Sequence, residues 1–206
     1  MGKTVWKGGV VTNLEKLKEN VNAITLLTSQ EWEVMSTVIE DITVGKNGLF
    51  LAEGTVCNSI AFVCSGVLVY YKTQDNGNEV TTDFAFNNDW VTNNHSRLNG
   101  SPSHLSIRAI EETELLVIRQ KNLNVLYDKI PALERFSRVL MEQAYVKLVQ
   151  LSLDLQTLSA TERYIKLLQN YPEVFQRVPL YHIANYLGIA PKSLSRIRNM
   201  AFPGRE

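Results

Sequence analysis

The chain has 206 residues, 45% of them hydrophobic and 20% charged, and its 21 basic residues balance its 21 acidic ones. That length builds one good core or two modest domains, and a net charge of zero excludes a chain that binds polyanions over its whole surface. No stretch is apolar enough for long enough to span a membrane, and Met1–Val11 lacks an apolar core of signal length, so a cytoplasmic protein with no membrane partner is expected.

Asn13–Asp41 reads as helical. Trp32, Met35 and Ile39 recur at spacings of three and four, and Ser29 with Trp32 and Glu33 resembles a helix start. From Ile42 the character changes. Glycines at 45, 48, 54, 66 and 77 punctuate short runs of Val, Phe, Tyr and Thr. Ser59–Ser65 and Val67–Thr73 read as strands around Gly66. Asp75-Asn76-Gly77-Asn78 reads as a hairpin turn before a strand at Glu79–Phe86. Leu105–Ile110 and Glu114–Ile118 read as a further pair around Glu111-Glu112. Many short strands with closely spaced turns predict an antiparallel β-roll of jelly-roll type. Cys57 and Cys64 both lie in a run that reads as strand and are expected to be buried free thiols; two cysteines cannot supply a four-thiolate cluster.

Pro131 opens a different segment. Ala132–Leu158 has no glycine or proline and predicts one long helix. Leu133, Phe136, Leu140, Ala144, Leu148, Leu151, Leu155 and Leu158 make one apolar stripe; Val139, Val146, Val149 and Leu153 make a second. A helix apolar on two faces must bury both. One face can cover the roll and the other can meet a symmetric partner, with Phe136, Val139, Leu140, Val146, Val149 and Leu153 as the expected dimer interface.

Leu180–Arg198 carries the most specific pattern. It reads as two short helices joined by a tight turn, held by Ile183, Leu187, Ile189, Leu194 and Ile197. Gly188 ends the first helix, where positive φ is common, and Pro191 suits the first position of the second. Lys192, Ser193, Ser195, Arg196 and Arg198 face away from the apolar seam. Arg and Lys donate to guanine O6 and N7, and Ser bonds base edges or phosphate. Lys192 and Arg196 are the expected base readers; Ser195, Arg198 and Arg163 are expected on phosphates. His182 is expected to contact phosphate or solvent. Residues 159–206 carry seven basic against three acidic side chains, net +4, and the remainder −4. A basic tail on an acidic body suits local contact with double-stranded DNA.

The order of β-roll, long helix and helix-turn-helix resembles the Crp/Fnr family of bacterial transcription regulators, most closely a branch found in Bacteroidetes. The segments that carry it are Gly66-Val67-Leu68-Val69-Tyr70-Tyr71, Ser159-Ala160-Thr161-Glu162-Arg163-Tyr164, Gln176-Arg177-Val178-Pro179-Leu180 and Leu194-Ser195-Arg196-Ile197-Arg198. The resemblance implies an α+β chain with a cyclic-nucleotide-binding-like sensor domain at 1–131, a dimerisation helix at 132–158 and a DNA-binding domain at 159–206. It implies a homodimer on a palindromic site, acting with RNA polymerase, and no catalytic residues.

The departures from the family are specific. Where cyclic-nucleotide binders hold the phosphate with Gly-Glu and Arg-Ser pairs, this chain has Thr92-Asn93 and Ser103-His104. A phosphodiester in a closed pocket needs a cation or backbone donors, so classical cAMP binding is not expected. No cofactor is assigned. Either an unknown small effector meets Trp90, Asn93, His104 and Ser106, with Tyr145 from the long helix, or the interior is apolar and filled with no ligand. Lys192 stands where most relatives are acidic, which predicts an altered half-site. Ala190 lacks the hydroxyl that would cap the reader helix, and the tail after Arg198 is too short for a β-hairpin wing. Two other classes stay open: a dimeric sensor that acts through protein contacts without DNA, and a cupin-type metal enzyme. The latter needs clustered His and carboxylate ligands, and His95 and His104 form no His-x-His pair, so no metal ligands are assigned.

Overall fold

The computed structural model describes residues 12–201; Met1–Val11 and the short tail from residue 202 lie outside them. Helix α1 (Asn13–Asn22) and helix α2 (Ser29–Ser36) each start with a reciprocal capping box, Thr12 with Glu15 and Thr28 with Glu31. The expected helix through Asp41 is therefore two helices, capped at Thr28 and not Ser29. Ile39 does not continue the helical stripe. It opens strand β1 (Ile39–Val44), because a β-branched run pairs in full register with strand β8 (Thr113–Arg119).

The remaining strands are β2 (Leu49–Leu51), β3 (Ser59–Ser65), β4 (Leu68–Thr73), β5 (Glu79–Ala85), β6 (Trp90–Val91) and β7 (Ser106–Ala109). They form two antiparallel sheets, ordered β1-β8-β3-β6 and β2-β7-β4-β5. β4 and β5 are the expected hairpin. The strands flanking Gly66, and those flanking Glu111-Glu112, are not pairs: each pair divides between the two sheets. A two-layer roll reads locally like a chain of hairpins, because a tight corner carries the same turn residues whether the chain folds back or crosses over. Gly66 is such a corner. Its φ is +114°, and a Cβ there would stand 2.6 Å from Thr113 Cα.

The sheets enclose Leu51, Ala61, Val63, Leu68, Val91, Ile107, Ala109, Leu115 and Val117. The outer face of the first sheet is buried too, since Phe62, Cys64, Leu116 and Ile118 meet α1, α2, helix α4 (Gln120–Lys129) and the start of helix α5 (Pro131–Thr157). Cys57 and Cys64 are buried free thiols, and burial pushes Cys64 up to about 11. Helix α5 begins on Pro131 and runs 27 residues. Helices α6 (Ala160–Asn170), α7 (Val174–Arg177), α8 (Leu180–Tyr186) and α9 (Pro191–Ala201) follow. They pack on the outer face of the second sheet, where Val67, Val69, Tyr71, Phe84 and Phe86 share one cluster with Tyr164, Val174, Ile183, Leu194 and Ile197. Among the described residues no helix is long and apolar enough to cross a membrane.

Candidate nucleic-acid interface and sensor cavity

Helices α8 and α9 meet through Ile183, Ala184, Leu187, Leu194 and Ile197, all buried. Gly188 sits between them at φ +66°, and Pro191 takes the first position of α9. This burial fixes the rotation of α9. Lys192, Ser195 and Arg196 are then exposed, while Ser193 and Arg198 are half-buried. Lys192, Ser195 and Arg196 lie on one stripe of the helix by its 3.6-residue period. Among the described residues, none of Lys192, Arg196 and Arg198 forms an ion pair. Ser195 Oγ donates to the Pro191 carbonyl, within its own helix.

Arg163 does not join this set. Its Nε and Nη2 donate to the Leu187 carbonyl at 3.1 and 3.0 Å, and its Nη1 to the Leu158 carbonyl at 2.6 Å. The guanidinium closes the end of α8 and ties it to the linker after α5. His182 also departs from expectation. It is fully buried, and its Nδ1 lies 2.6 Å from Thr81 Oγ1 on β5. It has no access to phosphate or solvent, because α8 presents that side to the roll. The sequence signal for this was present but unspecific: His182 and Ile183 adjoin in a short helix that must pack on two sides.

Along α5, residues 141–150 are exposed without a break. Tyr145 is 68% exposed, Val146 65%, Val149 40% and Leu153 49%, an apolar surface too continuous for a solvated helix. Phe136 and Leu140 turn the other way. Phe136 is 4% exposed against the Trp90 ring, and Leu140 packs with the roll. They share the helix face of Leu133, so they cover the roll, and Val139 is half-buried at the edge. The candidate partner face thus reduces to Val139, Val146, Val149 and Leu153, with Tyr145 beside them.

A cavity of about 640 Å³ lies between roll and α5. Of the five residues expected there, only Trp90 lines it. Trp90 Nε1 donates to Asn20 Oδ1 at 2.9 Å. Asn93 is buried; it caps helix α3 (Asn94–Asn99) and donates to Ser103 Oγ. Ser106 Oγ accepts from the Glu53 amide. His104 is exposed and meets His95 edge-on. Tyr145 points away on the outer face of α5. The cavity wall is instead Tyr70, Thr92, Arg97, Asp83 and Lys147. Arg97 donates to the neutral oxygens of Gln120 and Asn94, both at 2.7 Å. Lys147 Nζ is 2.9 Å from Asp83 Oδ1 and joins α5 to β5. Burial disfavours its ammonium, but Asp83 outweighs that and holds Lys147 above the ordinary lysine range.

These residues do not fit a cyclic phosphodiester in the usual way. The α3 amide of Ser96 is taken by Asn93 Oδ1 and that of Arg97 by the Asn93 carbonyl, so these two amides are used within the protein. Among the described residues no three His, Cys, Asp or Glu side chains gather as metal ligands.

Residues 42–129 match the family model of the cyclic nucleotide-binding domain. Among solved structures the chain is similar to CLP of Xanthomonas campestris, described as a c-di-GMP responsive global regulator, with TM-score 0.68 and 14% identity over 84% of this chain and 91% of that one. It is similar to FixK2 of Bradyrhizobium japonicum, with TM-score 0.66 and 18% identity over 82% and 90%. A Crp/Fnr-family putative transcriptional regulator from Eubacterium rectale gives TM-score 0.65 and 19% identity over 84% and 83%. At these identities the likeness establishes a shared fold. No curated protein matches the chain in sequence.

Proposed function

We propose that this chain, a cyclic nucleotide-binding domain at residues 42–129 set in the fold of Crp/Fnr regulators, is a homodimeric DNA-binding transcription regulator. The observation that carries the reading is the exposed cationic stripe of α9, Lys192 and Arg196, without an ion pair among the described residues and held outward by the buried Leu194 and Ile197. A second copy is the natural cover for Val146, Val149 and Leu153. Pairing of two long helices about a two-fold axis sets two reader helices about one DNA turn, roughly 34 Å, apart. Lys192 and Arg196 read base edges; Ser195 and Arg198 hold phosphates, with Ser193 beside them. The sensor part runs to residue 131, the dimerisation helix to 158 and the reading head onward. The cavity against α5 receives an effector other than a classically held cyclic nucleotide, with Trp90 in its wall.

Fluorescence polarisation with genomic fragments tests the reading. Tight, salt-sensitive binding to a subset of fragments, lost in a Lys192→Ala/Arg196→Ala variant, supports it. Equal binding by the variant, or none by the native dimer with or without host extract, points to a sensor that acts through protein contacts.

A further inference from the structure

The C-terminal helices pack on β4 and β5 of the roll, and β5 supplies the polar contacts to α8. Thr81 of β5 meets His182 of α8, and both are buried, at 2% and 0% exposure. Next to them Asn185 Nδ2 donates to the Glu79 carbonyl at 2.7 Å. The Tyr186 ring packs on Phe84 at 5.1 Å. The same strand faces the cavity through Asp83, the partner of Lys147. Alternate residues of a regular strand share a face, so Thr81 and Asp83 would ordinarily point the same way. A bulge prevents this: Tyr70 opposes Asp83 while Tyr71 opposes Thr81, and Thr82 is the extra residue.

We propose that the Thr81–His182 bond is a proton-sensitive latch: neutral His182 holds α8 on β5, and the imidazolium releases it. The geometry admits the neutral ring alone. Nε2 is buried with no hydrogen-bond partner among the described residues, so a second N–H would have no acceptor there. The charged neighbours give no relief. Arg108 of β7 stands beside the ring, stacked over Tyr71 of β4 at 4.4 Å. Glu79 of β5 would favour a cation, but both its oxygens already accept from Arg108. The flanking group on α8 is the Tyr181 ring, 3.9 Å from the imidazole centroid. Burial first, and Arg108 second, depress His182 from 6.5 to about 4. Once α8 lifts away the ring regains its ordinary affinity for protons, so acid favours the open form. The latch sits on the strand that also contacts the cavity and α5, so its release loosens α8 from that strand while Arg177 keeps its pairing with Glu111.

Hydrogen exchange of the full-length protein, corrected for intrinsic rates, reads the latch without DNA. Between pH 7 and pH 5 the opening of α8 and β5 should rise at least tenfold by linkage, while β3 and β8 stay protected. His182→Leu fills the same apolar site without a titrating group and should abolish the rise. Thr81→Val should raise exchange already at pH 7, and Thr81→Ser should not. Overturning results are a flat response in the native protein, the same rise in His182→Leu, or equal behaviour of the two Thr81 variants. An NMR titration that placed His182 near 6.5 in the closed form would also end the idea. A native protein that showed the latch yet ignored DNA would count against the regulator reading and leave the latch standing.

Discussion

Arg163 and Leu187 are joined across 24 residues: two guanidinium nitrogens converge on one backbone carbonyl at the end of α8. This is a structural clamp on the turn that sets the angle between α8 and α9. Arg163→Ala should therefore destabilise the C-terminal helices by about 1.5–3 kcal/mol, the range for charge-assisted hydrogen bonds. It should weaken specific and non-specific DNA binding together. Lysine keeps the charge but not the fork, and should rescue little. Urea denaturation beside polarisation separates the clamp from a phosphate contact, which would cost affinity without stability.

Arg196→Ala should lose roughly 1–3 kcal/mol of discrimination between a selected site and random DNA. If both affinities fell by the same factor, Arg196 would be a phosphate contact. Lys192→Glu should move the preferred bases in a randomised library, because a carboxylate accepts from cytosine N4 where an ammonium donates to guanine.

Val146→Glu with Val149→Glu places four like charges across a paired helix seam. Sedimentation should show a monomer, with the circular dichroism of the native chain, since both positions are exposed in the single chain. DNA affinity should drop by at least tenfold through lost bivalency. The matching change at Phe136 should instead unfold the roll, because that ring is core.

Gly66→Ala should cost more than about 2 kcal/mol. It demands positive φ of an L-residue, and it drives a methyl into Thr113. Thermal melting checks this; a small shift in Tm would mean the corner can relax.

Acid should weaken the fold through His182 in a definite window. Its folded-state value lies near 4 against an ordinary 6.5. A depressed histidine contributes fully above about 6.5, and the contribution is lost as pH falls from there toward 4. The slope is at most about 1.4 kcal/mol per pH unit. Subtracting the curve of His182→Leu removes the carboxylates, such as Glu40 and Glu53, which salt bridges hold below their ordinary range.

The long helix, the β4–β5 hairpin and the helix pair at 180–198 were legible because each is local: an uninterrupted apolar period, a turn of Asp, Asn and Gly, a glycine and a proline in register. The two-sheet pairing was not, because the corners at Gly66 and at Glu111-Glu112 look the same as hairpins along the chain. Nor was the burial of His182, or the turning of Asn93 and Ser106 into local hydrogen bonds instead of a pocket. Short polar side chains choose partners by three-dimensional proximity, and Thr81 lies 101 positions from His182. The outward stripe of α9 was legible, since a strict apolar period leaves one side for charge.

Helix α5 runs 27 residues from the roll to the head, a rod of about 40 Å at 1.5 Å per residue. Such a rod is a lever. From Lys147 to the helix end is about 15 Å, so a tilt of about 10° where Lys147 grips Asp83 swings that end by about 2.6 Å, close to the roughly 3.4 Å rise between base pairs. A displacement smaller than a side chain beside the cavity is then enough to shift the C-terminal helices by nearly one base-pair step.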